Sequence, residues 1–271
     1  MLKNTAVLTV AGSDSGGGAG IQADIKAFSA CGVYGASVVT AVTAQNLEGV
    51  RAIQAIRPEM VEAQLRAVLE GYPVKAAKTG MLFSGAIIEV VAEVFAEYPH
   101  IPLVVDPVFA ATSGGRLIKR SSIRVLCRRL LPQAALVTPN IPEAEYLFGS
   151  ELRTVEDLRA AGEALFQRYG VPFLMKGGHL PSAAGGAVDL LVDKSGVKTY
   201  RAEMVRSVNS HGSGCTFSAA IAAYLARGRS LAVAVGEAKS FITASLRRPL
   251  YLRPGTRVID HFCRRGKFDS K

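Results

Sequence analysis

The stretch NSHGSGCTFSAA, residues 209–220, reads as a glycine-bracketed turn running into an apolar helix. The main-chain amides of Gly212, Ser213, Gly214 and Cys215 would then sit at a helix N-terminus, a ready place for an anion. They could surround a transferring phosphoryl group and stabilise charge as it develops. The residue at the mouth is Cys215, neither the lysine of a P-loop nor a carboxylate base. A thiol of intrinsic pKa about 8.5 is lowered at a helix N-terminus, which would make it a mild base. Two other readings stand beside this one. Cys215 could be a covalent nucleophile, which needs an oriented histidine such as His211. It could also be a small buried apolar residue.

A second constellation is AGSDSGGGAGIQAD, with four glycines among five residues, Gly16, Gly17, Gly18 and Gly20. Such density allows close backbone approach to a ligand or a tight turn. Gly18-x-Gly20-x-x-Ala23 resembles a dinucleotide fingerprint. That site wants an acid at the end of the second strand for the ribose. Gln45 and Asn46 stand there instead, and an amide pair suits a heterocycle edge better than a diol. A nicotinamide-dependent dehydrogenase therefore ranks low.

Asp106 and Glu143 each follow an apolar strand, with Asn140 in the same layer. Hard oxygen ligands at neighbouring strand ends suit Mg²⁺, which keeps waters and bridges to phosphates. Glu143 also fits the first turn of a helix, where its charge is worth roughly 0.3–1 kcal/mol. Lys176, at another strand end, could neutralise nucleotide phosphate as a point charge or lie on the surface. His179 reads as a loop hydrogen-bonder.

The elements that must position these residues alternate along the chain. AVLTVAG, GASVVTAVTAQ, VKAAKTGM, IPLVVDPV, ALVTPN and PFLMKGGH read as strands. GIQADIKAFSACG, PEMVEAQLRAVLEGY with Pro58 first, and SGAIIEVVAEVFAEY with Ser84 as N-cap read as helices. Another helix starts near Pro142. Apolar strands separated by amphipathic helices imply a mostly parallel sheet covered on both faces, an α/β/α sandwich. Two alternating runs around DKSG predict an antiparallel hairpin, either a small appendage or a sheet edge. Two long helices follow, over residues 214–227 and 231–246. The distinctive residues fall at C-terminal strand ends, where open α/β sheets bind ligands.

The chain has 271 residues, 49% hydrophobic, enough for a substantial core. We expect one domain over residues 1–271, since no linker or composition shift divides it, with a basic, frayed tail at 263–271. No apolar run of about 18 residues or signal-peptide pattern is seen, so a cytoplasmic protein with no membrane partner is expected. The four cysteines lie far apart without CxxC spacing, which fits reduced thiols. The net charge of +10 reads as a solvated basic surface with an anionic ligand. Short basic clusters without a binding motif argue against nucleic acid.

AGSDSGGGAGIQADIKAFSACGVYGASVVTAVTAQN, KTGML, VVDPV, TPNIPEAE, MKGGH and HGSGCTFSAAIAA together resemble the bacterial hydroxymethylpyrimidine/phosphomethylpyrimidine kinases of thiamine biosynthesis, in the ribokinase-like superfamily. The match keeps motif order from near residue 5 to about residue 247. The resemblance implies a homodimer that uses MgATP to phosphorylate 4-amino-5-hydroxymethyl-2-methylpyrimidine and then its monophosphate. It places the pyrimidine near Gly12, Asp24, Thr43, Gln45, Met81 and Val108. It maps the anion hole to Gly212 through Cys215 and the N-x-x-E metal motif to Asn140 and Glu143, with ATP near Asp106, Lys176, Gly212 and Gly214. Family members often carry lysine where Thr112 stands, and threonine where Ser213 stands. A pyridoxal kinase of the same fold is the near alternative, and a ligand-binding protein without turnover is another. HLPSAAGGA, residues 179–187, is a lid candidate from its small residues.

Overall fold

The computed structural model describes residues 5–109, 118–178, 180, 186–205, 211–253 and 256–263. Among the described residues nine strands form one sheet: β1 (Ala6–Asp14), β2 (Tyr34–Asn46), β3 (Gly49–Ala55), β4 (Val74–Thr79), β5 (Leu103–Val105), β6 (Leu136–Val137), β7 (Phe173–Lys176), β8 (Gly186–Asp193) and β9 (Gly196–Glu203). The order is β3-β2-β1-β4-β5-β6-β7-β8-β9. The central strands from β2 to β7 are parallel, and β3, β8 and β9 are antiparallel edges. The DKSG hairpin is therefore a sheet edge, because β8 pairs with β7 along four residues. A separate ribbon joins β10 (Leu250–Arg253) to β11 (Thr256–Val258). Strand β3 is an addition to the sequence reading. It lies at the outer edge with no buried residue, so it carries no apolar signature.

Helices cover both faces. On one side are α2 (Pro58–Gly71), α3 (Gly85–Ala96), α4 (Arg120–Val125), α5 (Ile141–Phe148) and α6 (Val155–Tyr169). Their core includes Leu65, Ile88, Ile123, Ala144 and Leu165 against Val10, Val105 and Phe173. On the other side α1 (Gly20–Ala30), α7 (Ser213–Ala226) and α8 (Leu231–Arg247) pack Phe28, Ile221 and Phe241 against Val7, Val104 and Leu174. Burying one such side chain stabilises by about 1.5–3 kcal/mol, so each layer is firmly seated. Pro58 opens α2, and the Ser84 hydroxyl accepts from the Ile87 amide at 3.3 Å, as the sequence predicts. Helix α7 is buried from Thr216 to Tyr224, which fixes its N-terminal turn rigidly.

Some expectations need adjustment or fall outside the described residues. Cys263, placed in the frayed tail, is buried beside Ser245, and its carbonyl accepts from Arg248 at 3.1 Å. The rest of that tail, Thr112, His179 and most of the lid candidate lie outside the described residues. Among those described, no helix is long and apolar enough to cross a membrane.

One ion pair ties the layers beneath the strand ends. Lys78 on β4 and Asp24 on α1 are both fully buried, with Nζ 2.9 and 3.0 Å from the two carboxylate oxygens. Burial opposes the Lys78 charge, but Asp24 outweighs it and holds the ammonium protonated. Removing one member of a buried pair costs about 3–5 kcal/mol, because the other charge is left unpaired. Urea unfolding should therefore show Lys78→Met destabilised by about that amount, with Lys78→Met/Asp24→Leu recovering most of it.

Candidate active site

The first loop is folded around a charge of its own. Asp14, at the end of β1, accepts the amides of Gly16, Gly18 and Ala19 at 2.8, 3.1 and 2.8 Å. Burial alone would raise its carboxyl, but His211 and the loop amides carry it below the usual range. These amides are thus already taken by a carboxylate. A dinucleotide pyrophosphate would meet a negative charge there, which removes the nicotinamide reading suggested by Gly18-x-Gly20-x-x-Ala23. Gly212, the residue before α7, has φ +79°, and a Cβ on it would run into the Gly18 carbonyl. That close approach seats the last glycine turn directly on the first loop.

The residues mapped to the pyrimidine divide into two groups. Met81 folds its thioether over Gly12, and its carbonyl accepts from Thr40 at 2.6 Å. Thr43 donates to the Ser13 carbonyl at 2.9 Å, and Gln45 is half-buried beside it. Val108 follows Asp106, with its amide bonded to the Asp106 carbonyl at 2.9 Å. These lie at the ends of β1, β2, β4 and β5. Asp24 differs: its carboxylate is enclosed and spent on Lys78 and on Thr9, 2.6 Å away. Its place is below the floor of the site, as support, rather than in contact with a ligand.

Cys215 lies in the first turn of α7, partly buried, with the Gly20 amide donating to its sulfur. Burial pushes the thiol up to about 11, offset in part by Lys78 and reinforced by Asp24 and Asp106. The expected lowering is thus reversed, since loss of water around the sulfur exceeds the pull of the nearby ammonium. His211 Nε2 is directed at Asp14 and Gln45, at 3.1 and 3.0 Å. It is not turned to the thiol, so the acyl-transfer pairing is not assembled.

A second buried charge cluster lies deeper under α7. Lys176 Nζ is 2.8 Å from Asp106 Oδ1, and Asp106 also accepts from Thr138 at 3.0 Å and Ser218 at 3.1 Å. Burial opposes ionisation of Asp106, yet Lys176 and Lys78 hold it below the usual range. A Cβ built on Gly214 would lie 3.4 Å from Lys176 Nζ, so the ammonium sits against the glycine turn. Asn140 and Glu143 form a reciprocal cap, with amide-to-side-chain bonds of 2.9 and 3.0 Å. Glu143 is also buried, and burial pushes it up to about 7, with Lys176 pulling down and Asp106 pushing up. The structural role foreseen for Glu143 is met, and its carboxyl still belongs to the cluster. Among the described residues no group of three acidic, His or Cys side chains forms a metal cage. Two carboxylates around one lysine nonetheless suit a Mg²⁺ that keeps waters and phosphate oxygens. Glu143 is the more available of the two, because Asp106 already holds three donors.

Sequence reasoning did not single out Lys239, Asp189 or the cavity beside them. Lys239 is buried on α8 and lies 2.6 Å from Asp189 of β8, which also accepts the Gly177 amide at 3.2 Å. A cavity of about 580 Å³ between β9 and α8 is lined by Arg201, Lys239, Thr243, Arg247 and Arg248. The signal was present as a lone lysine between Ala238 and Phe241 on the apolar face of α8.

The layer order and the strand-end charges are those of a ribokinase-like kinase. A model of the phosphomethylpyrimidine kinase family matches residues 14–260, and the chain belongs to that family. It is 45% identical over 255 residues to a hydroxymethylpyrimidine/phosphomethylpyrimidine kinase from Streptomyces coelicolor, covering 94% of this chain and 93% of that one. It is 48% identical over 255 residues to a thiamine biosynthesis bifunctional protein from Geobacter sulfurreducens, covering 94% of this chain but only 52% of that protein. A phosphomethylpyrimidine kinase structure from Clostridium difficile superposes with TM-score 0.79 at 44% identity, over 88% of this chain and 98% of that one. The ADP complex of a pyridoxal kinase from Bacillus subtilis gives TM-score 0.87 at 35% identity, over 96% and 98%.

Glu143 supplies a test of the charge cluster. Its folded pKa is raised above the free value, so its contribution to stability is full below about pH 4.5 and lost as pH rises towards 7. Urea unfolding of Glu143→Gln against the unaltered chain should show the difference moving in the variant's favour across that window. A difference that stays constant with pH would place Glu143 outside the cluster.

Proposed function

We propose that this chain uses MgATP to phosphorylate 4-amino-5-hydroxymethyl-2-methylpyrimidine and then its monophosphate, supplying thiamine biosynthesis. The observation that carries the reading is the approach of the Lys176 ammonium to the Gly214 turn, which sets a cation beside amides suited to a phosphoryl group. When bound, ATP supplies the transferable phosphoryl group and Mg²⁺ neutralises its charge. Glu143, with Asp106 behind it, would hold the metal. Gly212, Ser213, Gly214 and Cys215 would direct their amides at the transferring group, and Lys176 would add a full charge. The cationic cavity formed by Arg201, Lys239, Arg247 and Arg248 lies on the same side of the sheet and suits the remainder of the nucleotide. Gly12, Thr43, Gln45, Met81 and Val108 would enclose the pyrimidine, with Asp24 and Lys78 underneath.

Phosphoryl transfer through a loose transition state asks little of a base until late. That agrees with a thiol that keeps its proton near neutrality. Cys215 is then where the hydroxymethyl proton goes, as the rare thiolate. The second transfer starts from an ionised phosphate oxygen and needs no such acceptor. We also read the chain as a homodimer, supported by the exposed apolar residues Val42 and Leu47 beside β3.

An ADP-release assay with each alcohol tests the substrate. The aminopyrimidine should be turned over at higher kcat/KM than pyridoxal; the reverse would make the chain a pyridoxal kinase. For the first transfer, kcat/KM should rise with pH from about 7 to 9, since the free-enzyme base is mostly protonated there. Cys215→Ala should slow that step and abolish the slope, while leaving the second transfer less affected. Equal losses in both steps would reject the proton-acceptor role.

A further inference from the structure

One polar cluster joins Thr43 and Gln45 of the proposed pyrimidine site to Asp14 and His211, which have no part in the phosphoryl transfer above. His211 Nε2 lies 3.1 Å from Asp14 Oδ2 and 3.0 Å from Gln45 Nε2. Gln45 Oε1 lies 3.3 Å from Thr43 Oγ1, whose hydroxyl is 2.9 Å from the Ser13 carbonyl. The cluster joins the end of β1, the end of β2 and the turn before α7. The His211 side chain is 17% exposed and that of Asp14 only 4%, so water competes weakly here. The imidazole rests on Gly18, where a Cβ would lie 2.8 Å from Cδ2.

Donor accounting decides which way the Gln45 carboxamide faces. Asp14 already accepts three loop amides and is ionised, so it can only accept. A carboxylate oxygen beside Nε2 draws the imidazole proton to that nitrogen. A protonated Nε2 cannot accept from the Gln45 amino group, so Oε1 belongs beside it, sharing the single N–H with Asp14 Oδ2. At the other end the Thr43 hydroxyl has one proton, and the nearer Ser13 carbonyl takes it. Its lone pairs then face Gln45 and call for Nε2. Both ends demand the same setting, with Oε1 to His211 and Nε2 to Thr43. The reverse setting suits only a bare Nε2, whose lone pair would then face an ionised carboxylate.

We propose that Asp14 and His211 form a latch that fixes the flip of the Gln45 carboxamide and so sets which heterocycle edge the site accepts. This rests on the reading that Gln45 faces the pyrimidine. With its inner donor and acceptor engaged, the outer edge presents one N–H and one lone pair in a set order. That order is complementary to a ring nitrogen beside an exocyclic amino group. A pyridine alcohol lacks the amino partner and leaves part of the edge unpaired, which a site built on hydrogen bonds penalises. Holding the edge in advance also spares the substrate the cost of ordering it. His211 acts through Gln45 and is a positioning residue.

Steady-state kinetics of the full chain with the aminopyrimidine alcohol and with pyridoxine, at saturating MgATP, test the latch. His211→Phe should raise KM for the aminopyrimidine about tenfold or more and narrow its preference over pyridoxine by a similar factor. KM for ATP should stay within about twofold. His211→Gln carries two donors on one nitrogen, for Asp14 and for Oε1, and should recover most of the preference. In a Gln45→Ala background, His211→Phe should add no further loss. An unchanged preference ratio in His211→Phe, or losses that simply add, would overturn the latch. Should His211→Phe fail to fold, His211→Asn, too short to span both partners, serves the same comparison. A readout without substrate separates this from failure of the kinase reading. The Gln45 side-chain amide in ¹⁵N NMR, assigned with Gln45→Ala, should shift and exchange faster in the His211 variant. An unaltered signal would refute the latch even if neither alcohol were a substrate.

Discussion

Two lysines held out of water beneath the N-terminus of α7 constrain the rest of the molecule. Lys78 is completely buried and Lys176 nearly so, and each is charged. A charge in that setting persists only with a close, hydrogen-bonded partner. Asp24 answers Lys78 and Asp106 answers Lys176, at 2.9 and 2.8 Å. Satisfying both pairs at once requires the first turns of α1, the ends of β4 and β7 and the segment after β5 to meet at one place. Helix α7 then lies over them, and its buried apolar length keeps its first turn from shifting.

The same constraint divides labour between the two glycine loops, which look alike in composition. The first loop wraps the Asp14 carboxylate and is electrostatically closed to another anion. The second, over residues 212–215, has Lys176 against it and Lys78 behind it, so it is the one suited to phosphate. The two are pressed together at Gly18 and Gly212, where no side chain fits. On the proposed reading, positive charge and preorganised amides carry the chemistry. On that reading the thiol contributes late, since its burial keeps the proton on sulfur.

Much of this was legible along the chain. The strands β1, β2, β4, β5, β6 and β7 follow from apolar runs that end in polar residues, and α2 and α3 from Pro58 and Ser84 at their starts. The edge strand β3 left no trace, because a strand exposed on both sides needs no alternation. The DKSG hairpin was readable as a hairpin, but whether it joined the sheet depended on β7 having a free edge. Lys78 stands among the distinctive residues at the strand ends, but its burial and its partner were not legible there. Nothing nearby in sequence reveals that Asp24, on another element, lies against it.

Residue types and their periodicity determined the α/β/α layering and the strand ends at which polar side chains gather. Both are local consequences of which side chains avoid water. Partnership and protonation were decided only in three dimensions. Asp24 became support rather than contact, His211 turned to Asp14 and Gln45 rather than to the thiol, and Cys215 was raised rather than lowered. Each outcome depends on charges brought together from distant segments in a space that water has left, and Coulombic and desolvation energies there follow distance and burial, which one-dimensional order does not encode.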